Sequence, residues 1–232
     1  MKNIAIFYHS LFFLGDPPVL LPTAFTVVKA QMAAFNDSGL LDAATEIHCG
    51  VNGGAESESI ARELLPPHAV IQYHGLDSRN ENSTIVMLEQ WLPLHDDWYV
   101  LYLHSKGATH PEGNDHSTRW RDCMMRHAVH NWRLCVADLD AGYEAVGSHW
   151  MTGDQTPPGQ SIFAGNFFWA SSDFLRTLPS IQERDRIKLS GLWSLDSRYE
   201  SEVWLGNGPR LPKVKDYHGP NWNPGKTHEC VP

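Results

Sequence analysis

Trp98-Tyr99-Val100-Leu101-Tyr102-Leu103, running straight into His104-Ser105-Lys106-Gly107, is the stretch on which the reading of this chain turns. An unbroken apolar and aromatic run of this length, with no polar alternation, describes a strand buried on both faces, as at the centre of a sheet covered by helices. The residues after it change character at once, to histidine, serine, a cation and a glycine. That is the position at which open α/β sheets hold their ligands, in the crevice outside the carboxyl ends of the strands.

The flanking sequence supports the same architecture. Ile4-Ala5-Ile6-Phe7-Tyr8 is β-branched and aromatic and predicts a first, central strand. Phe25, Val28, Met32 and Phe35 then recur on one helical stripe, which Asn36 to Gly39 terminates. Strands at Glu46-Ile47-His48-Cys49 and Ala69-Val70-Ile71-Gln72-Tyr73 bracket a glycine turn and a short helix near Glu58 to Leu65. Ser83 is expected to cap a helix with Ile85, Leu88, Trp91 and Leu92 facing inward. Ser117 is expected to cap a long one carrying Trp120, Met124, Trp132, Cys135 and Leu139. Tyr143 to Gly147 and Phe163 to Trp169 return as strands, and a helix spans about Asp196 to Leu205. Alternating strands and helices predict an α/β fold, a Rossmann-like, mostly parallel central sheet flanked by helices. No repeat or linker divides the chain, so residues 1–232 are expected to form one domain.

The formal net charge is -9, which disfavours nucleic acid or an anionic membrane as a partner. No signal pattern or membrane-length apolar segment is evident, so a cytoplasmic protein with no transmembrane segment is expected. Cys49, Cys123, Cys135 and Cys230 show no zinc-type spacing and are read as reduced, mostly buried thiols. Thirteen histidines include no H-E-x-x-H motif. Oligomeric state leaves no trace in the sequence.

The His104 to Gly107 turn suits a diphosphate: Lys106 supplies a compact positive charge, and Gly107 lets the backbone approach phosphate oxygens. Arg119, near the start of the next helix, adds a second cation where free N–H groups favour anions. Asp138-Leu139-Asp140 has a metal-binding form, yet it ends a helix and precedes a strand, on the wrong edge of the sheet. Glu200 and Glu202 share a helix but project to nearly opposite faces, so at most one reaches the cleft, where an ionised glutamate can act as a general base. Gly165 and Asn166, with an aromatic such as Trp169, suggest an acceptor platform. His104 and His218 are candidates to converge on a metal.

Taken in order, several segments resemble a family of bacterial glycosyltransferases and glycosyltransferase-like proteins with the GT-A fold. They are Lys29-Ala30-Gln31 through Ser38-Gly39-Leu40, Tyr102 to Gly107, Trp120-Arg121-Asp122-Cys123-Met124-Met125, Ala164 to Ala170 with Leu178-Pro179, and Arg198-Tyr199-Glu200-Ser201-Glu202-Val203-Trp204. The resemblance implies a nucleotide-binding half (1–107), a mixed acceptor half with a C-terminal tail (108–232), a nucleotide-sugar donor such as a UDP-sugar, and a saccharide acceptor in glycan or surface-polysaccharide assembly. By position, His9, Ser10, Gly50 and Val51 would border the base and ribose, and Glu202 would be the base. His218 would stand near a late metal-binding histidine. His104 to Gly107 occupies the place of the family's usual Asp-x-Asp, so use of Mn2+ or Mg2+ is an open expectation. A nucleotidyltransferase and a non-catalytic nucleotide- or carbohydrate-binding module are the alternatives. The former is disfavoured because Tyr8-His9-Ser10-Leu11-Phe12 lacks a glycine-rich signature.

Overall fold

The structure, a computed structural model, describes residues 2–14, 19–53, 56–74, 81–110, 115–152, 161–181, 200–206 and 208–218. In chain order its strands are β1 (Ile4–Leu11), β2 (Phe13–Leu14), β3 (Val19–Leu20), β4 (Glu46–Asn52), β5 (Val70–Tyr73), β6 (Tyr99–His104), β7 (Ala145–Gly147), β8 (Trp150–Thr152), β9 (Ser161–Phe163), β10 (Phe168–Ser171) and β11 (Val214–Asp216). Seven of them build one sheet in the order β11-β7-β10-β6-β1-β4-β5, while β2-β3 and β8-β9 are small antiparallel ribbons. The pairs β6-β1, β1-β4, β4-β5 and β7-β11 are parallel; β10 alone runs antiparallel, between β6 and β7. Strands from both halves of the chain share this sheet, and the α/β expectation holds.

The alternation along β1 and β6 explains why these strands are central. Ile4, Ile6 and Tyr8, with Tyr99, Leu101 and Leu103, enter one core layer; Ala5 and Phe7, with Val100 and Tyr102, enter the other. The first layer is closed by helix α1 (Pro22–Asp37), which presents Ala24, Val28 and Phe35, and by residues 124–139. The second is closed by Ile85, Leu88 and Trp91 of the helix Asn82–Trp91 and by Phe174, Leu175 and Trp204. Among the described residues no helix is long and apolar enough to cross a membrane.

Several local expectations are corrected. Ser83 does not cap its helix: Glu81 holds the N-cap position without a side-chain cap bond, and the Ser83 hydroxyl donates to Asn52 Oδ1 instead. The long helix after Ser117 is two helices, Asp115–Met125 and Trp132–Asp140, joined by a π-helical turn at Arg126–His130 that rotates the register between them. The single strand expected over Phe163 to Trp169 is broken at Gly165 and Asn166, both at positive φ (89° and 56°), so that β9 and β10 belong to different sheets. Of the helix expected over Asp196 to Leu205, Glu200–Trp204 is described and the rest lies outside the described residues. Cys49 and Cys135 are buried free thiols. Cys123, in contrast, is disulfide-bonded, and its sulfur sits among imidazoles rather than in an apolar pocket. Cys230 lies outside the described residues.

Candidate functional site

Because β6, β1, β4, β5, β7 and β11 all point the same way, their carboxyl ends form one edge, and the chemistry gathers there. His9 ends in β1, His74 follows β5, His104 closes β6, His149 follows β7 and His218 follows β11. The reversed strand β10 begins at this edge, placing the Gly165-Asn166 turn beside His104.

The centre of the edge is a buried polar knot. Glu81, 9% exposed, accepts hydrogen bonds at Oε2 from the Tyr102 hydroxyl (2.9 Å) and the Asn166 amide (2.8 Å). Its Oε1 faces His104 Nδ1 at 3.4 Å, and His104 Nε2 lies 2.9 Å from the Gly165 carbonyl, to which it donates. Burial raises the Glu81 carboxyl to about 7, against smaller downward pulls from Asn166, Tyr102 and the Lys106 charge. Burial, helped by Lys106, lowers His104 to about 3. Each shift favours the uncharged form: His104 is a neutral imidazole at pH 7, and a Glu81 carboxyl at about 7 is close to evenly divided between acid and carboxylate there. His9 is held the same way: its Nδ1 is 2.8 Å from Thr84 Oγ1, and burial, ahead of His104 and His74, takes it to about 3. Tyr102 is held well above its ordinary value, by burial first, then Glu81, with a further push from Glu202.

The turn itself is firmly built. Ser105 N–H donates to the His9 carbonyl (2.9 Å), and Ser105 Oγ accepts from Leu11 N–H (3.3 Å), so Ser105 ties the ends of β1 and β6 together. The Lys106 carbonyl accepts from Arg121 (3.3 Å), and Gly107 sits at φ 86°, a conformation any side chain would strain. Lys106 Nζ stands 4.1 Å from the centre of the Trp120 ring, and among the described residues it forms no ion pair with a carboxylate. Arg119 is exposed on the following helix.

Other expected residues are placed differently. Trp169 is fully buried and gives its indole N–H to the Ala128 carbonyl (2.8 Å), so it has no face for a sugar. Asn166, 1% exposed, spends its amide on Glu81 rather than projecting it. Val51 is buried in β4, and Gly50 packs so closely on Thr84 and His74 that a Cβ there would collide with Thr84 Oγ1. His104 does not join His218: the ligand-type atoms of His218 gather with those of Cys123 and His149, all within 4.8 Å of one another. Asp138 and Asp140 accept hydrogen bonds from the Tyr217 and Tyr99 hydroxyls, which gives that Asp-x-Asp a structural use. A groove of about 330 Å3 lined by Val86, Glu89, Leu175, Arg176, Leu178 and Trp204 contains none of these site residues.

The buried polar atoms with no hydrogen-bond partner among the described residues include Ser10 Oγ at the end of β1, His74 Nε2 after β5, and Ser57 Oγ beside Gly53. Buried polar groups are paired in the great majority of folded structures, so these atoms are open to a polar partner such as water.

A family model, described as a domain of unknown function (DUF8361), matches residues 8–191. The chain belongs to that family. No curated protein matches the DUF8361 chain. Among solved structures, it is similar to 4-diphosphocytidyl-2C-methyl-D-erythritol synthase from Anaerococcus prevotii (13% identity, 95% of this chain and 90% of that one, TM-score 0.44). It is also similar to CMP:2-keto-3-deoxy-manno-octonic acid synthetase complexed with CTP (10% identity, 94% and 91%, TM-score 0.42). A manganese complex of a Mycobacterium tuberculosis protein matches at 10% identity over 94% and 90%, with a TM-score of 0.41. Likenesses this distant leave the function of the DUF8361 chain to its own residues.

Glu81 and the Cys123-His149 pair escaped the sequence. Glu81 follows a polar stretch with no periodicity, and only its burial beside His104 reveals it. Cys123 and His149 lie a helix and a strand apart, a spacing no compact motif covers.

Proposed function

We propose that this chain transfers a sugar from a nucleotide-sugar donor, with a UDP-sugar as the first candidate, to a saccharide hydroxyl at the carboxyl edge of its sheet. The observation that carries this is Lys106: a cation at the end of the central strand, held on Trp120 without a carboxylate partner among the described residues and beside a knot whose imidazole is uncharged. A fixed positive charge of this kind suits a donor diphosphate. The unsatisfied Ser10 and His74 atoms, flanking His9, Gly50 and Val51, suit the polar rim of a nucleoside.

In this reading the acceptor hydroxyl attacks the anomeric carbon while the bond from that carbon to the diphosphate oxygen breaks. Glu202 takes the hydroxyl proton, and the nucleoside diphosphate leaves with the bonding pair. Lys106 and Arg119 stabilise the charge that develops on it, an effect worth several kcal/mol where such cations are preorganised. Glu81, His104, Tyr102 and Asn166 form a buried, hydrogen-bonded floor that positions the turn. Gly165 shapes the acceptor side, where Trp169 and the Asn166 amide are already committed to the interior. The turn offers no pair of carboxylates, so its donor set does not fit Mn2+ or Mg2+, which prefer oxygen ligands.

Calorimetry with UDP, with and without Mn2+, beside a donor-hydrolysis assay, tests the reading. Lys106→Ala is expected to weaken UDP binding at least about tenfold, the equivalent of about 1.4 kcal/mol. Wild-type affinity in that variant would remove Lys106 from the site. Pyrophosphate release from a nucleoside triphosphate and a sugar phosphate would favour a nucleotidyltransferase, and tight binding with no turnover a binding module.

A further inference from the structure

A second constellation stands beside the first, across Trp120, whose ring lies 6.3 Å from that of His149. We propose that Cys123, His149 and His218 bind a soft divalent cation, zinc by the chemistry of the donors, when the chain is reduced. This inference does not depend on the sugar-transfer reading.

One ligand-type atom from each residue lies within 4.8 Å of the others, and Cys123 and His149 are buried. Donors around a tetrahedral zinc stand closer than this, roughly 3–4 Å apart for zinc-ligand bonds of about 2.0–2.3 Å, so a contraction of about 1 Å completes the geometry. Thiolate and imidazole select zinc over magnesium or calcium, and the three residues supply three of the four donors that zinc takes.

The surroundings aim the donors. His149 Nδ1 is 3.0 Å from Ser148 Oγ; donation to that oxygen fixes the tautomer that leaves Nε2 as the lone-pair donor. His218 Nδ1 is buried with no hydrogen-bond partner among the described residues. The carboxylate of Asp216 binds both imidazole-bearing segments, accepting at Oδ1 from His149 N–H and His218 N–H (3.0 Å each) and at Oδ2 from Trp150 N–H (3.3 Å). The two rings are stacked at 4.2 Å, and His149 adopts φ 67°, a left-handed conformation costly for a residue with a Cβ and typical of functional positions. His127, stacked on Tyr217, faces the same group.

Cys123 is disulfide-bonded in this structure, and a disulfide sulfur is a poor ligand. Zinc binding and the disulfide are therefore alternative states of the same sulfur. A phosphine and one water convert the disulfide to two thiols and a phosphine oxide. Zinc then displaces the Cys123 thiol proton to solvent, and the two neutral imidazoles add through their lone pairs.

The test is cobalt and zinc titration of the intact chain, reduced with a phosphine and compared with the untreated protein. The reduced wild type is expected to bind one ion and to show a thiolate-to-cobalt charge-transfer band; the disulfide form should lack the band. Cys123→Ser should abolish the band, and His218→Ala should weaken zinc binding by about 100-fold or more. Ser148→Ala should weaken it about 10–100-fold, as losses outside the ligand set commonly do. Absence of the band in reduced wild-type protein overturns the proposal without recourse to any variant. So does zinc affinity unchanged in both Cys123→Ser and His218→Ala, which would mark an adventitious ion only.

Discussion

Glu81→Gln should make the protein less sensitive to alkaline pH, and the size of the effect follows from the geometry of the knot. A glutamine carbonyl can accept the Tyr102 and Asn166 hydrogen bonds that Oε2 now takes, while its NH2 would face His104 Nδ1 as the acid's Oε1 does. The variant therefore mimics the neutral wild-type site at every pH. In the wild type, burial raises the carboxyl from 4.5 to about 7. A raised acid favours the native state fully only below its unfolded value; between about 4.5 and 7 the native chain binds more protons than the unfolded one, and stability falls as pH rises. Integrated from pH ~5.5 to ~8.5, the wild type should lose about 2 kcal/mol relative to Glu81→Gln. That corresponds to a relative shift of about 4–8 °C in Tm for a chain of this length. Urea denaturation of both proteins at the two pH values measures it. A wild-type-minus-variant difference that stays constant across this range would show that Glu81 is ionised in the native protein throughout, and the upward shift by burial would be wrong.

Gly50→Ala should destabilise the fold by about 1–3 kcal/mol in the same assay, since the new methyl group would drive Thr84 away from His9. Trp169→Phe should lower stability by about 1–3 kcal/mol, because the Ala128 carbonyl loses its buried donor. Ligand affinity measured by calorimetry should be untouched; a selective loss of acceptor binding in a stable variant would return Trp169 to the site.

The sheet was legible because burial on both faces leaves a strong mark: Trp98 to Leu103 could hardly be anything but a central strand, and the turn after it could be placed from that alone. The reversed β10 was not legible, since an aromatic run reads the same in either direction, and its break at Asn166 depends on a left-handed backbone that asparagine adopts only in context. The π-helical turn at Arg126–His130 likewise leaves the apolar spacing intact on both sides. At the site, the sequence pointed to His104 and Lys106 because they follow a recognisable strand end, whereas Glu202 was singled out only through the family resemblance. It misassigned Trp169, because an aromatic that stacks on sugar and one that packs in a core share the same composition. It missed Glu81 and the Cys123-His149-His218 group because their meaning lies in three-dimensional proximity across widely separated segments.

The lone antiparallel strand sorts the connections around it by direction. Every parallel strand delivers to the carboxyl rim the loop that comes after it, whereas β10 delivers the loop that comes before it. The peptide leaving β10 emerges on the opposite rim, where the Ser171 hydroxyl caps the short helix Ser172–Leu175. Extra residues spliced in after Leu175 would project from the back of the molecule, while a single deletion between Phe163 and Phe168 would pull Gly165 off His104 and open the floor of the front.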